Sequence, residues 1–228
     1  MSAKPATARK RIFLVEDHAV VRQGLRLFIA QEPDMEVCGE ADNGADALSL
    51  ITKLLPDAVI TDISLPGMNG IEFLKNLRAL HPEIVAVVLS MHDESIYAER
   101  ALRAGAFGYV MKKESTEVVV SALRKAFRGE HHVSGKILGE LVRKAIGTQD
   151  PSKAAPVSLV ETLSDRELEI FECIGRGMDT ASIAGSLCLS PKTVETHRVH
   201  IKEKLRINTA AELSRHAALW VEHESIGK

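Results

Sequence analysis

Short apolar runs and stretches of helical periodicity alternate over the first half of the chain. The apolar runs begin at Ile12, Met35, Ala58, Val85 and Gly108, and apolar residues at helical spacing follow each of them. Short apolar runs bounded by turn residues are typical of buried parallel strands, which need helical crossovers between them. The pattern therefore predicts an α/β doubly wound domain with a five-stranded parallel sheet over residues 10–129.

Breaker residues set the boundaries of these elements. The predicted strands are 12–15, 35–41, 58–62, 85–89 and 108–111. The predicted helices that follow the second to fifth strands are 44–55, 71–80, 97–103 and 118–128, and Val21, Leu25 and Phe28 mark the helix after the first strand.

The second half of the chain has a different pattern. Residues 130–162 are predicted to be a linker with one helix at 137–146, because 148–156 carries two prolines and lacks apolar periodicity. Strand signals are absent over 163–224, where capping residues open successive helices. The predicted helices there are 164–174, 181–187, 190–205 and 209–220. Short helices joined by tight turns predict a small all-α helix-turn-helix domain.

Three carboxylates stand where two predicted strands end. Glu16 and Asp17 follow the first strand, and Asp62 ends the third. Ligands bind at the carboxyl edge of open α/β sheets, and like charges converging there raise each other's pKa unless a cation neutralises them. An all-oxygen cluster suits Mg²⁺. Ser90 and Lys112 end the fourth and fifth strands, so the set suits transfer of a phosphoryl group onto Asp62.

Composition limits the alternatives. The 228-residue chain has a formal charge of −2 and 45% hydrophobic residues, which favours two globular domains without bulk attraction to nucleic acid. Cys38, Cys173 and Cys188 fit neither a disulfide framework nor a zinc site. We expect a cytoplasmic protein without membrane contact, because no apolar run approaches a membrane span and Met1 to Arg11 has no signal-peptide core.

The predicted helix 190–205 carries a local charge excess. Val194, Ile201 and Leu205 are expected to face the core, which leaves the other faces polar. Residues 190–206 contain five basic and two acidic side chains, and this excess supplies the phosphate attraction that the whole chain lacks.

Several histidines and the single tryptophan have more ordinary interpretations. His197 and His200 lie three apart on the helix, but no further ligand accompanies them in the sequence, so His197 is predicted to pack or to contact phosphate. His131 and His132 are predicted to be exposed at the end of the first domain, and Trp220 to belong to the core of the last helix.

Residues 11–129 resemble the receiver domain of two-component response regulators, which has a flavodoxin-like fold. The matching residues are Glu16, Asp17, Asp62, the loop 65–70, Ser90, Tyr109 and Lys112. The resemblance implies that Asp62 accepts phosphate from a sensor histidine kinase, and that the domain catalyses only its own phosphorylation and dephosphorylation. The implied Mg²⁺ ligands are Glu16, Asp17, Asp62 and the backbone carbonyl of Ser64. The implied switch pair is Ser90 and Tyr109, and Ser64 and His92 occupy positions that tune phosphoaspartate hydrolysis.

Residues 163–220 resemble the C-terminal DNA-binding domain of the LuxR/NarL type. The matching residues are 163–167, Gly177, 183–184, 189–190, 193–197, Ile201 and 204–205. The resemblance implies that the helix from Ser190 enters the major groove of double-stranded DNA, with a homodimer formed near Ala210, Ala211 and Ser214. It implies base contacts from Glu195, Thr196 and Val199 and phosphate contacts from Lys192, Thr193, His197 and Lys202.

The chain departs from these families at three points. Glu16 stands where many receivers have aspartate, and a longer carboxylate still allows a water-mediated Mg²⁺ contact. Lys113 follows Lys112 where many have proline, which leaves the isomer of that peptide bond open. Glu195 stands where many relatives have lysine, so the target DNA sequence is expected to differ.

Two other functional classes share some of these sequence features. Haloacid-dehalogenase-like phosphatases also use an aspartate at a strand end, but they need a second aspartate where this chain has Ser64. A DNA-binding protein that works without phosphorylation is a further class, although Asp62 and Lys112 argue against it. For a response regulator, phosphorylation would either release an inhibitory contact or create a dimer.

Overall fold

The computed structural model describes residues 9–146 and 159–226, which form two compact units divided between Leu138 and Gly139. The stretch 148–156, predicted to be a linker, lies outside the described residues. Within the described ranges, no helix has the length and apolar character of a membrane span.

The first unit is a doubly wound α/β fold, as the sequence predicts. Its five strands are all parallel in the order β2-β1-β3-β4-β5. The strands are β1 Lys10–Val15, β2 Met35–Ala41, β3 Ala58–Thr61, β4 Val85–Ser90 and β5 Gly108–Met111. The helices are α1 Ala19–Ile29, α2 Gly44–Leu54, α3 Gly70–Leu80, α4 Glu94–Ala104, α5 Thr116–Ala126 and α6 Gly135–Ile146, the last of which crosses the division between the units.

The central strands are buried on both faces, which explains their continuous apolar runs. Ile12, Leu14, Ile60 and Val87 are at most 1% exposed and pack with residues of α1 and α5 in one core. Because this core fixes the register of β1 against β3, it also fixes which polar residues meet at the carboxyl edge of the sheet.

The boundaries of α4 and α5 differ from the sequence prediction. The fourth helix begins at Glu94 rather than at residue 97, because the Asp93 side chain accepts a hydrogen bond from the Ser95 N–H and caps it. The fifth helix begins at Thr116 and ends at Ala126, two residues earlier than predicted at each end.

The segment after α5 pairs with the edge of the sheet, which the sequence did not predict. The Tyr109 N–H donates to the His132 carbonyl at 2.9 Å, and the His132 N–H donates to the Phe107 carbonyl at 2.8 Å. The prediction of two exposed histidines is therefore wrong for His132, which is partly buried, whereas His131 is exposed and stacks on Phe107. A non-local backbone pairing of this kind leaves no periodic signal in the sequence.

The second unit is all-α in its described residues. After a short 3-10 helix, Leu159–Thr162, its helices are α7 Asp165–Gly175, α8 Thr180–Ser186, α9 Pro191–Leu205 and α10 Ala210–Ile226. Capping boxes open α7 at Ser164 and α10 at Thr209, as the sequence predicts.

The core of the second unit holds α9 against the other helices. Val194, Ile201 and Leu205 are at most 5% exposed, so the core face predicted for this helix is confirmed. The Trp220 ring is half-buried and lies 5.6 Å from the Phe171 ring, in agreement with a packing role. The opposite face of α9 is exposed.

Candidate functional site

The carboxyl edge of the parallel sheet brings four charged side chains together. Lys112, which follows β5, places Nζ 2.7 Å from Asp62 Oδ2 and 2.7 Å from Glu16 Oε2. These three side chains are at most 7% exposed. Asp17 lies beside Glu16 with 31% of its side chain exposed. A nearly buried ammonium group thus joins two carboxylates at this edge, and a third lies beside them.

Strand register accounts for this meeting. Val15 at the end of β1 pairs with Thr61 at the end of β3, so the next residues, Glu16 and Asp62, emerge side by side. The Asp62 N–H donates to the Val15 carbonyl at 3.0 Å and extends this pairing by one residue. The sheet itself therefore delivers the two carboxylates to the same place.

The loop after β3 closes tightly against Asp62. The Ile63 N–H donates to Asp62 Oδ1 at 2.6 Å, and this hydrogen bond holds the carboxylate in one orientation. A Cβ atom on Gly70 would lie only 2.1 Å from the Asp62 carbonyl oxygen, so the first residue of α3 has to be glycine. The turn-rich stretch 65–70 seen in the sequence is thus the segment that sets the position of Asp62.

The acidic residues fit a divalent cation. Oδ1 of Asp17 is buried and has no hydrogen-bond partner among the described residues. Nδ1 of His18 lies 2.7 Å from this oxygen, but in a geometry that does not form a hydrogen bond. Ligand atoms of Glu16, Asp17, His18 and Asp62 all lie within 4.8 Å of one another. Buried carboxylate oxygens that lack a proton donor suit a hard cation such as Mg²⁺.

Lys112 is charged in this environment. Burial by itself would lower the pKa of Lys112, but the charges and hydrogen bonds of Asp62 and Glu16 outweigh burial and raise the pKa above its ordinary value. The peptide bond to Lys113, whose isomer the sequence left open, is trans. The ammonium group therefore balances part of the negative charge at the site.

A chain of hydrogen bonds leads from this edge to Tyr109. The Lys112 N–H donates to the Ser90 carbonyl at 2.8 Å, and the fully buried Ser90 accepts from the His92 N–H through Oγ at 3.3 Å. The Tyr109 hydroxyl donates to the His92 carbonyl at 2.8 Å, with its ring 2% exposed. Ser64 Oγ lies 2.7 Å from His92 Nε2. His92 thus contacts Ser64, Ser90 and Tyr109, the other residues near Asp62 that the resemblance marks as tuning or switch positions.

Two residues near the site did not emerge from the sequence. The His18 N–H donates to Glu16 Oε1 at 3.1 Å, and the Arg22 guanidinium donates to the Glu16 carbonyl. The position of His18 directly after the acidic pair was a signal for the first contact. The contact from Arg22 joins α1 to the end of β1. Helical periodicity does not predict which backbone carbonyl a surface arginine will reach.

In the second unit, α9 presents the residues predicted to contact DNA. Lys192, Glu195, Thr196 and Val199 are exposed, and Thr193, His197 and Lys202 are partly buried. The four exposed residues lie on the side of α9 opposite the core, and the three partly buried ones lie between that side and the core. This arrangement matches a helix that enters a groove of DNA.

Polar contacts already engage some of these residues. Glu195 Oε1 accepts a hydrogen bond from the Thr180 hydroxyl at 2.6 Å and lies 3.8 Å from Arg198 Nε. The Thr196 hydroxyl donates to the Lys192 carbonyl at 3.0 Å. Glu195 is therefore attached to the first residue of α8, a contact that the sequence did not predict.

The sequence interpretation of His197 and His200 needs a correction. A ring nitrogen of each and a carboxylate oxygen of Glu167 all lie within 4.8 Å of one another, so a third potential ligand does accompany the pair. Glu167 belongs to α7, thirty residues before His197 in the chain, and only the packing of α7 on α9 brings it there.

Family comparisons cover both units. Residues 12–124 match the family described as response regulator receiver domain. Residues 161–217 match the family described as bacterial regulatory proteins, luxR family. The two matches contain the acidic edge and α9 respectively.

Curated relatives match over almost the whole chain. The chain is 37% identical over 213 residues to the response regulator GacA of Pseudomonas aeruginosa, covering 93% of this chain and 96% of the relative. It is 34% identical over 208 residues to the oxygen regulatory protein NreC of Staphylococcus aureus, covering 91% of this chain and 96% of that protein.

Solved structures are similar as well. A LuxR-family two-component response regulator from an Aurantimonas species has 33% identity and a TM-score of 0.56, covering 61% of this chain and 99% of that one. RcsB of Salmonella enterica serovar Typhimurium, bound to a promoter in the presence of the phosphomimetic BeF₃⁻, has the same fold, with 22% identity, a TM-score of 0.66 and coverage of 92% and 98%. The chain belongs to the two-component response regulators of the NarL/FixJ family, transcription regulators that join a receiver domain to a LuxR-type DNA-binding domain.

Proposed function

We propose that Asp62 accepts a phosphoryl group from a sensor histidine kinase and that this phosphorylation controls DNA binding by α9. The observation that carries the proposal is the pair of 2.7 Å contacts from Lys112 Nζ to Asp62 and Glu16. A buried lysine held between two carboxylates is suited to balance the charge that a phosphoryl group adds to one of them.

The transfer would proceed by displacement at phosphorus. A carboxylate oxygen of Asp62 forms the new P–O bond as the P–N bond of the kinase phosphohistidine breaks, and the imidazole retains the electron pair and takes up a proton. Lys112 stabilises charge on the transferred group, and Ser90 supplies a hydroxyl donor at the same edge. The tight loop at Gly70 holds the carboxylate in position for this attack.

We assign Mg²⁺ as the cofactor, with Glu16, Asp17, Asp62 and the Ser64 carbonyl as the residues that would hold it. When bound, the ion supplies charge neutralisation on the phosphoryl oxygens. The oxygen of Asp17 that lacks a hydrogen-bond partner supports this assignment.

The path from the acceptor to the rest of the receiver would run through Ser90 and Tyr109. Their shared partner is the backbone of His92, whose N–H donates to Ser90 and whose carbonyl accepts from Tyr109. If the Ser90 hydroxyl turned toward the phosphoryl group, its hydrogen bond to the His92 N–H would change. His92 would then act on Tyr109, because its carbonyl holds the Tyr109 hydroxyl while the ring is buried. Ser64 and His92 would tune hydrolysis of the phosphoaspartate.

For the DNA-binding domain we propose base contacts from three residues of α9 and phosphate contacts from four. The base-contacting set is Glu195, Thr196 and Val199, and the phosphate-contacting set is Lys192, Thr193, His197 and Lys202. We assign 10–129 to the receiver, 130–162 to the linker and 163–224 to the DNA-binding domain, and propose a homodimer on DNA in the cytoplasm.

The first test is intact-mass measurement after incubation with Mg²⁺ and a small phosphodonor. We expect wild type to gain one phosphoryl group, Asp62→Asn to gain none, and Asp42→Asn to behave as wild type, because Asp42 is exposed and outside the cluster. Asp17→Asn should need at least about tenfold more Mg²⁺ for the same rate, since even outer ligands change metal affinity by that factor. If wild type gains no phosphate from the donor or from a kinase, the protein regulates without phosphorylation.

A further inference from the structure

Two histidines on α9 and a carboxylate on α7 form a cluster that the receiver chemistry does not use, and of the three only His197 is among the proposed DNA contacts. One potential ligand atom each from Glu167, His197 and His200 lies within 4.8 Å of the others. Glu167 is buried, His197 is partly buried and His200 is exposed. The Glu167 end of the cluster is therefore buried in the protein, and the His200 end is accessible to solvent.

The His197 ring has one nitrogen without a hydrogen-bond partner. Its Nδ1 is buried and has no hydrogen-bond partner among the described residues. Burial lowers the pKa of His197, although the charge of Glu167 acts in the opposite direction. A buried imidazole nitrogen that lacks a hydrogen-bond partner can serve as a metal ligand.

The two histidines are also spaced for joint coordination. Residues three apart on a helix lie on neighbouring positions of one face, so both imidazoles of α9 reach toward the same point. Glu167 approaches that point from the first turn of α7, because it is the third residue of that helix. Two imidazoles and one carboxylate are a typical ligand set for zinc and leave a fourth tetrahedral position open.

We propose that Glu167, His197 and His200 form a binding site for Zn²⁺ or a similar transition-metal dication. The site is distinct from the acidic edge of the receiver, whose oxygen ligands suit Mg²⁺. Ligand atoms of a tetrahedral zinc lie about 3.3 Å apart, so side-chain movements that shorten separations of up to 4.8 Å by at most about 1.5 Å are enough to form the site.

Lys204 would compete with a metal ion for the Glu167 carboxylate. Its Nζ lies 2.6 Å from Glu167 Oε2, which also accepts the Ser164 N–H at 2.7 Å in the capping box. With 39% of its side chain exposed, Lys204 can turn into solvent when a dication takes its place beside Glu167. Metal binding would therefore exchange an ion pair between α7 and α9 for a metal bridge between the same helices.

Such a bridge would act on the helix that contacts DNA. It would join α9 to the capping box of α7 at the position of His197, one of the proposed phosphate contacts. A histidine bound to metal through one nitrogen still donates from the other, so its contact with phosphate would be kept.

The test is a titration of Zn²⁺ into the full chain in excess Mg²⁺, followed by calorimetry and by the side-chain resonances of the histidines. We expect the resonances of His197 and His200 to shift and His200→Ala to weaken Zn²⁺ binding more than about 100-fold, since loss of a direct ligand exceeds the effect of an outer one. Lys204→Gln should bind Zn²⁺ more tightly than wild type.

The matched control is His216→Ala, which removes an exposed histidine of α10 outside the cluster and should leave Zn²⁺ affinity unchanged. Glu167 is kept intact because it also caps α7. The proposal is overturned if His200→Ala binds Zn²⁺ as tightly as wild type, or if His216→Ala loses as much affinity as His200→Ala.

Discussion

Gly70 shows how one residue without a side chain permits the close backbone packing around Asp62, the proposed phosphoacceptor. Any Cβ atom there would lie 2.1 Å from the Asp62 carbonyl and 2.7 Å from Ile63 Cα, both of which are backbone atoms that cannot turn aside. We expect Gly70→Ala to lower the free energy of unfolding by about 1–3 kcal/mol, the usual cost of overpacking, and to slow phosphorylation of Asp62. Denaturant unfolding and intact-mass kinetics measure the two effects.

Gly24→Ala is the matched control for this substitution. Gly24 lies within α1, and nothing comes within 4 Å of a Cβ atom placed there. Alanine should stabilise that helix by about 0.5–1 kcal/mol and leave phosphorylation unchanged. Unaltered stability and rate in Gly70→Ala would show that the loop accommodates a methyl group and does not position Asp62.

The sequence predicted which residues meet at the site where those residues follow the end of a strand. Glu16, Asp62 and Lys112 follow apolar runs, and the geometry of parallel sheets alone makes them neighbours. Glu167 was not predictable as a partner of His197, because helix periodicity places a residue on a face but gives no information on which distant face packs against it.

At the level of elements, the sheet of the receiver is extended by a segment that belongs to no strand. His132 accepts from the Tyr109 N–H and donates to the Phe107 carbonyl, and the Ser134 hydroxyl donates to Glu94 at the start of α4 at 2.6 Å. Gly108 permits the approach, because a Cβ atom there would lie 3.3 Å from His132. The residues that follow α5 are therefore attached to the strand that carries the proposed switch residue.

His132→Pro tests this attachment, because proline lacks the N–H that reaches Phe107. We expect the Tyr109 amide to lose at least about tenfold of its hydrogen-exchange protection, the equivalent of about 1.4 kcal/mol. His132→Ala keeps both backbone bonds and should preserve that protection. Equal protection in all three proteins would mean that the segment does not hold the edge of β5.

Element boundaries were predictable where the capping chemistry is explicit. Ser190 with Pro191, and Ser164 with Glu167, gave the starts of α9 and α7 because these residues satisfy free N–H groups of the first turn. The start of α4 was missed, since its cap Asp93 is followed by the polar residues Glu94 and Ser95, so that the apolar pattern begins only inside the helix. The pairing of His132 with β5 was missed because it depends on contacts remote in sequence.

At the scale of the whole molecule, we expect phosphorylation to act by dimerisation and not by release of an inhibitory contact, because one copy has few cations for DNA. The chain has a formal charge of −2, so DNA affinity rests on a few cations of α9. Lys204 is paired with Glu167, and Arg198 lies 3.8 Å from Glu195. Lys192, Lys202 and Arg206 have no ion pair in the part of the chain that the structure describes. A single copy therefore offers few phosphate contacts.

Two linked copies would overcome this weakness, because joining two weak DNA-binding domains raises affinity by about 10²–10⁴ without any new contact. We expect the phosphorylated full chain to sediment as a dimer, and Asp62→Asn as a monomer that binds operator DNA at least about 100-fold more weakly. The plot of log affinity against log salt should be about twice as steep for the dimer, since it neutralises twice as many phosphates. A phosphorylated monomer that binds DNA with full affinity would instead require release of an inhibitory contact.

Lys192→Gln removes one cation from each copy of the chain. It should therefore reduce the slope of log affinity against log salt by about two if a dimer binds DNA and by about one if a monomer does. The size of this reduction gives the number of copies on the DNA.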